Sequence, residues 1–151
     1  MLHDALDNIY LKLKVDAQSI LLPLKHVQII LRLPALHEVP SDAKGFEGIL
    51  NYHGVSVPVY NLGAHVGAAQ VVPDIDTPLV LCQFKAGLLG ILVSDVEEVV
   101  AVKAEDVQKP ELSQLPAFVT GAYESEVESM WVIQLDALLD PKAYLVRVAD
   151  E

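Results

Sequence analysis

At 151 residues the chain suits one compact domain, or two small halves that share a core. Apolar residues make up 52% and charged residues 21%, enough for a packed interior and too apolar for wholesale disorder. The formal net charge is −11, with −1 over residues 1–73 and −10 over residues 74–151, so phosphate backbones and anionic membranes are repelled.

The start, Met1-Leu2-His3-Asp4, lacks the basic residues and apolar run of a secretory leader. Short Val/Ile/Leu runs bounded by turn residues then dominate, and helical spacing is rare. These runs predict strands near 9–15, 19–24, 26–33, 47–52, 55–60, 78–84, 88–93, 96–102, 117–123 and 129–135. Asp16-Ala17-Gln18 and Lys85-Ala86-Gly87 read as hairpin turns, and His53-Gly54 as a tight turn in which Gly takes a positive φ. Short helical pieces are expected at 61–66, 104–107 and 136–140. The longest stretch without Asp, Glu, Lys or Arg runs from Gly48 to Pro73 and is broken by six glycines and prolines, so no spanning helix is expected. The single cysteine, Cys82, permits no disulfide within the chain and sits in an apolar strand as a small hydrophobe. These features together favour the cytoplasm.

The second half repeats the first. At an offset of 69, Leu13, Val15, Ile20, Leu22, Leu24 and Val27 fall on Cys82, Phe84, Leu89, Ile91, Val93 and Val96. At an offset of 73, Gly48, Val57, Val59, Leu62 and Ala64 fall on Gly121, Met130, Val132, Leu135 and Ala137. Five short antiparallel strands per half close naturally into a small barrel, since closure removes exposed edges. The fold class expected is therefore all-β: two five-stranded barrels packed together, with short helices. The chain reads as one domain over 1–151 with halves at about 9–73 and 78–140, and with exchange of strands between the barrels left open.

Four segments carry a resemblance to a known family. Gly48-Ile49-Leu50-Asn51-Tyr52-His53-Gly54-Val55-Ser56-Val57-Pro58-Val59-Tyr60-Asn61-Leu62 resembles the signature of the CheW family, which runs Gly, two apolar residues, Asn, any residue, Arg, Gly, then apolar residues to Pro-Val and Asp/Asn-Leu. Gly90-Ile91-Leu92-Val93-Ser94-Asp95-Val96 is similar to its Gly-apolar-Val-Asp-x-Val strand. Phe118-Val119-Thr120-Gly121 and Trp131 to Leu139 resemble its closing Gly and its strand-to-helix segment. The resemblance covers roughly residues 9–140. It implies two SH3-like barrels, and a non-enzymatic adaptor that links a CheA-like histidine kinase, through its regulatory domain, to the cytoplasmic tip of a chemoreceptor. It also implies a partner-binding surface carried by Val27 and Ile29 of the third strand and by Gly48, Asn51, His53, Gly54, Val57 and Pro58 of the signature hairpin. A bulky charged residue at Gly48 is expected to abolish kinase docking in a chain that stays folded.

The sequence departs from the family twice. His53 stands where the signature has Arg, and Ile29 where members usually carry Glu, in Val27-Gln28-Ile29. In the family that Arg and Glu can pair near the partner surface, so their joint loss puts receptor binding in the usual mode in doubt. An adaptor for a non-flagellar system, such as a pilus or surface-sensing pathway, fits that departure.

Chemistry is poorly supported. The five histidines show no tight ligand spacing, so no metal or cofactor is expected. The serines lack a nucleophile-elbow setting, and Leu62-Gly63-Ala64-His65-Val66-Gly67 lacks the lysine of a phosphate loop. No catalytic residue is assigned. Asp95, Glu97 and Glu98 read as a solvated strand, with Asp95 a turn acceptor by the resemblance. The alternative to an adaptor is a small-ligand or signal-sensing module on the same double barrel, which a polar cluster in a deep inter-barrel cleft would favour.

Overall fold

In a computed structural model, residues 8–109, 116 and 118–139 are described, and the regular elements among them are mostly strands. In chain order these are β1 (Ile9–Val15), β2 (Gln18–Pro23), β3 (Val27–Arg32), β4 (Phe46–Tyr52), β5 (Val55–Asn61), β6 (Pro78–Phe84), β7 (Gly87–Leu92), β8 (Asp95–Ala101), β9 (Val119–Glu124) and β10 (Ser129–Ile133). The helical pieces are α1 (Gly63–Val66), α2 (Leu135–Leu138) and 3-10 turns at Leu24–His26 and Ala104–Asp106. No helix among the described residues is long and apolar enough to cross a membrane.

The strands form two five-stranded sheets, ordered β8-β1-β2-β10-β9 and β3-β6-β7-β5-β4. Each sheet draws on both halves of the sequence: the β1–β2 hairpin joins three later strands, and the β6–β7 hairpin joins three earlier ones. Shifted by 69, β1 and β2 land on β6 and β7, and β3 lands on β8 within one residue. Shifted by 73, β4 and β5 land on β9 and β10 within one residue. The two strand orders are identical under that mapping, parallel pairs β5–β7 and β10–β2 included. The hairpins β4–β5 and β9–β10 therefore occupy equivalent places.

Each sheet closes on itself through one isolated bridge. His37 exchanges both backbone hydrogen bonds with Ile49 of β4 (2.8 and 2.9 Å), and Gln108 does the same with Ala122 of β9 (2.8 and 2.8 Å). The residue before each bridged position is a glycine, Gly48 or Gly121. A Cβ on Gly48 would stand 2.9 Å from the His37 carbonyl oxygen, and one on Gly121 would stand 2.5 Å from Val107 Cγ1. The closing segment passes where a side chain would be.

Strands buried on both faces explain the continuous apolar runs. One face of β1 and β2 (Leu11, Leu13, Val15, Ile20, Leu22) meets the equivalent face of β6 and β7 (Val80, Cys82, Phe84, Leu89, Ile91) in a shared inter-barrel core. A fully buried Leu or Ile here contributes about 1.5–3 kcal/mol by leaving water. The other faces line the barrels: Leu50, Val57, Val59, Leu79, Leu81 and Leu92 in the first, Leu21, Val102, Met130 and Val132 in the second. Cys82 lies in the shared core with its thiol pushed up to about 12 by burial. Thiol reagents are expected to leave it unmodified in native buffer and to label it fully in denaturant, measured by mass spectrometry.

Candidate functional site

The signature hairpin is built for rigidity at its tip. Tyr52 pairs with Val55, leaving His53 (φ 50) and Gly54 (φ 84) as a two-residue turn with both φ values positive. The Gly54 N–H donates to Asn51 Oδ1 at 2.9 Å, so Asn51 fixes the turn from the preceding strand. The His53 ring stacks edge-on against Tyr52, centroids 4.4 Å apart, and is presented to solvent together with Val55.

Strand register sets what lies beside this tip. β5 runs parallel to β7, β7 pairs with β6, and β6 pairs with β3 through Cys82↔Val27 and Leu81↔Ile29. The start of β3 and the turn at Lys85–Ala86 thus share one end of the first barrel with His53. A register shift between Val27 and Ile29 breaks the in–out alternation. Gln28, Ile29 and Ile30 consequently all face water, the two isoleucines at 40% and 43% exposure.

The residues assigned from the sequence separate into two sets. His53, Gly54 and Ile29 lie on the surface, Asn51 is exposed beneath the turn, and Val27 is half-buried against the shared core. Gly48, Val57 and Pro58 are buried and support the hairpin from inside. Pairing of β5 with β7 begins at Val59, so the missing Pro58 donor falls just outside that ladder. Gly48 has φ 140 and no room for a Cβ, so a bulky charged residue there disrupts the barrel closure. The expected folded, docking-deficient Gly48 variant is thereby overturned: that substitution probes the fold rather than the surface. In the loop before β8, Ser94 Oγ accepts the Asp16 N–H at 2.9 Å, while Asp95 opens β8 with its side chain exposed.

One polar cluster was missed by sequence reasoning. Lys12 lies in β1 with its side chain only 8% exposed, and its Nζ donates to Glu128 Oε2 at 2.7 Å, with Glu97 at 3.7 Å. Ser19 Oγ and Lys14 Nζ donate to the other Glu128 oxygen. The Lys12 bond and the Ser19 bond hold the Glu128 carboxyl down to about 2, and the Glu128 bond raises Lys12 above the ordinary lysine value against its burial. Lys12 falls on Leu81 at the offset of 69, and Leu81 lines the first barrel. That mismatch is the signal by which the repeat marks Lys12 as a cation on the barrel-facing side of β1.

The hairpin end presents rigid backbone, exposed branched aliphatics and an imidazole. No group of three or more His, Cys, Asp or Glu that could hold a metal ion occurs among the described residues.

Comparison with known proteins agrees with this architecture. The "Chemotaxis protein CheW" of Rhizobium meliloti (strain 1021) is 23% identical over 94 residues, 60% of this chain. The chain spans 61% of that relative's length. The solved structure of scaffolding protein TtCheW from Thermoanaerobacter tengcongensis superposes with a TM-score of 0.75 at 19% identity, covering 85% of this chain and 84% of that one. It has the same double-barrel fold. The model of the CheW-like domain matches residues 10–143, nearly the whole chain, and the chain belongs to the CheW-like domain family.

Proposed function

We propose that this protein is a non-enzymatic adaptor of bacterial chemosensory signalling that works in the cytoplasm and links a CheA-type histidine kinase to chemoreceptors. The observation that carries the reading is the family match over residues 10–143, on a double barrel whose hairpin end presents Ile29, Ile30, His53 and Val55 on rigid backbone. Exposed aliphatics on a preordered scaffold suit a docking surface, because little ordering entropy is lost on contact. Partner-binding residues are Val27, Ile29, Asn51, His53 and Gly54, with Gly48, Val57 and Pro58 holding them in place.

The test has two arms. Purified protein is titrated with the regulatory domain of a CheA-like kinase from its own cells, where saturable 1:1 binding is expected. It is then titrated with a receptor-tip fragment, to which weak binding is expected, since neither Ile29 nor His53 rebuilds the fork-shaped contact of guanidinium with carboxylate. His53→Arg with Ile29→Glu should strengthen receptor binding more than the two single changes combined, by about 0.5–3 kcal/mol of coupling. Additive singles, or tight binding by the unmodified chain, would show that the lost pair has no role in receptor recognition. Absence of kinase binding would remove the adaptor reading itself.

A further inference from the structure

Each of the two sheets begins with a strand that is paired on one side only. β3 pairs with β6 and β8 pairs with β1, and each stands first in its strand order. The barrels close farther along the chain, at His37 and Gln108. Among the described residues no backbone hydrogen bond reaches the outer edge of β3 or of β8. Such an edge is a row of N–H and C=O groups ready to pair with another strand. The two strands are also repeat counterparts: shifted by 69, Gln28, Ile29 and Ile30 fall on Glu97, Glu98 and Val99. Both edges carry exposed aliphatics, Ile29 and Ile30 on β3 and Val99, 57% exposed, on β8.

The edges are opposite in charge. Residues 25–32 hold Lys25 and Arg32 and no acidic residue, a net of +2 with His26 neutral. Residues 95–101 hold Asp95, Glu97 and Glu98 and no basic residue, a net of −3. The contacts these groups already make are long: Arg32 lies 4.0 Å from Asp76, both well exposed, and Glu97 lies 3.7 Å from Lys12. Two β3 edges laid together antiparallel bring Arg32 of each toward Lys25 of the other, and two β8 edges bring carboxylates together. Like charges across a strand pair destabilise it, so only the mixed pair gains on both counts. An antiparallel register that sets Ile29 opposite Val99 also sets Arg32 opposite Val96, between Asp95 and Glu97.

We propose that β3 of one molecule pairs edge to edge with β8 of a second copy. The contact is heterologous: each molecule gives its β3 to one neighbour and its β8 to another. Main-chain hydrogen bonds supply the affinity, and the charges choose which edge meets which. Strands of six and seven residues make a small interface, so the association is weak and concentration-dependent. A molecule engaged through β3 has Ile29 covered, and self-association therefore competes with any partner docked there. The pairing goes beyond the adaptor reading and does not depend on it, since purified protein alone reports it.

Sedimentation of the parent between about 10 μM and about 1 mM should show mass growing beyond the monomer. Raising salt from about 0.05 M to about 0.5 M should weaken that growth several-fold, because the attraction is between exposed charges. Amide hydrogen exchange should slow with concentration in β3 and in β8 together, since outward N–H groups of both strands gain acceptors. Ile30→Glu with Arg32→Glu makes the β3 edge acidic, and Val99→Lys with Ala101→Lys makes the β8 edge basic at its far end. All four side chains are exposed, so neither variant should lose melting temperature, and each alone should stay monomeric. The decisive arm mixes the two variants. The first keeps its β8 and the second keeps its β3, so the mixture should form a dimer of one each. A parent monomeric at all concentrations, growth indifferent to salt, or protection rising in only one of the two strands would overturn the proposal. So would growth that survives in either variant alone, as pairing of like edges or another surface would give, or a mixture that stays monomeric.

Discussion

Gly48→Ala is expected to destabilise the protein by about 3 kcal/mol, a large share of the stability of a domain this size. The residue sits at φ 140, a conformation that costs an L-amino acid about 1–3 kcal/mol before any contact is counted. Its Cβ would also meet the His37 carbonyl oxygen at 2.9 Å and Leu36 Cβ at 3.1 Å. The carbonyl belongs to the bridge that closes the first barrel, and it cannot retreat without breaking the Ile49 N–H···O bond. Gly121→Ala makes the internal comparison. It occupies the same place in the second barrel, yet its nearest neighbour is a methyl group of Val107, which a side-chain rotation can move, and the Gln108 carbonyl oxygen is 3.4 Å away. Its cost should be smaller, about 1 kcal/mol. Urea unfolding of the three proteins measures both values. A Gly48→Ala variant within about 0.5 kcal/mol of the parent would refute the steric account of the closing segment.

The same glycines show how much of the fold is legible in the sequence. Strand positions were readable within a residue or two because runs such as Ile9–Val15 and Pro78–Phe84 are apolar, short and bounded by turn residues. The repeat was readable because inward-facing positions of equivalent strands fill equivalent space: Leu13 and Cys82, or Ile20 and Leu89, share one core. Pairing between strands distant in sequence was not readable. Nothing local in Gln18–Pro23 says that its neighbour is Ser129–Ile133, more than a hundred residues away; that choice is made by the closing of two barrels at once. The site divided along the same line. The tight turn at His53-Gly54 was legible, since only a two-residue turn with positive φ joins Tyr52 to Val55 there. The burial of Gly48, Val57 and Pro58 was not, because a motif records which residues recur and not which way each side chain points. Lys12 was hidden for a related reason. Alternating with Leu11 and Leu13 it looks like the solvated face of a strand, and only barrel closure turns that face inward.

The Lys12–Glu128 pair leads to the second large effect, which depends on which partner is removed. Glu128→Ala is expected to destabilise, because it removes the carboxylate that gathers Lys12, Lys14 and Ser19 and leaves Lys12 only Glu97 at 3.7 Å and the field of Glu98 as counter-charge. Lys12→Leu, which restores the residue its repeat counterpart Leu81 carries, is expected to cost far less. The stranded group is then a Glu128 carboxylate that still has Ser19 and Lys14 and reaches solvent at 26% exposure. The double variant Lys12→Leu with Glu128→Gln should be more stable than Glu128→Ala alone, since it leaves no lysine at position 12 short of its hydrogen-bonding carboxylate. Acid unfolding supplies an independent readout. The folded Glu128 carboxyl, held at about 2, lies below its ordinary value of 4.5. Its stabilising contribution is therefore present above pH 4.5 and is lost as pH falls from there toward 2. Lys12 has the opposite sign. Its value is raised above 10.5, so its contribution persists through neutral pH and is lost only as pH climbs through the folded value. Chemical denaturation at steps between pH 5 and pH 2.5 should show the parent losing stability more steeply than Glu128→Gln, which has no carboxyl to protonate at that position. Parallel slopes for the two proteins would mean that Lys12 and Ser19 do not hold this carboxylate in the folded state.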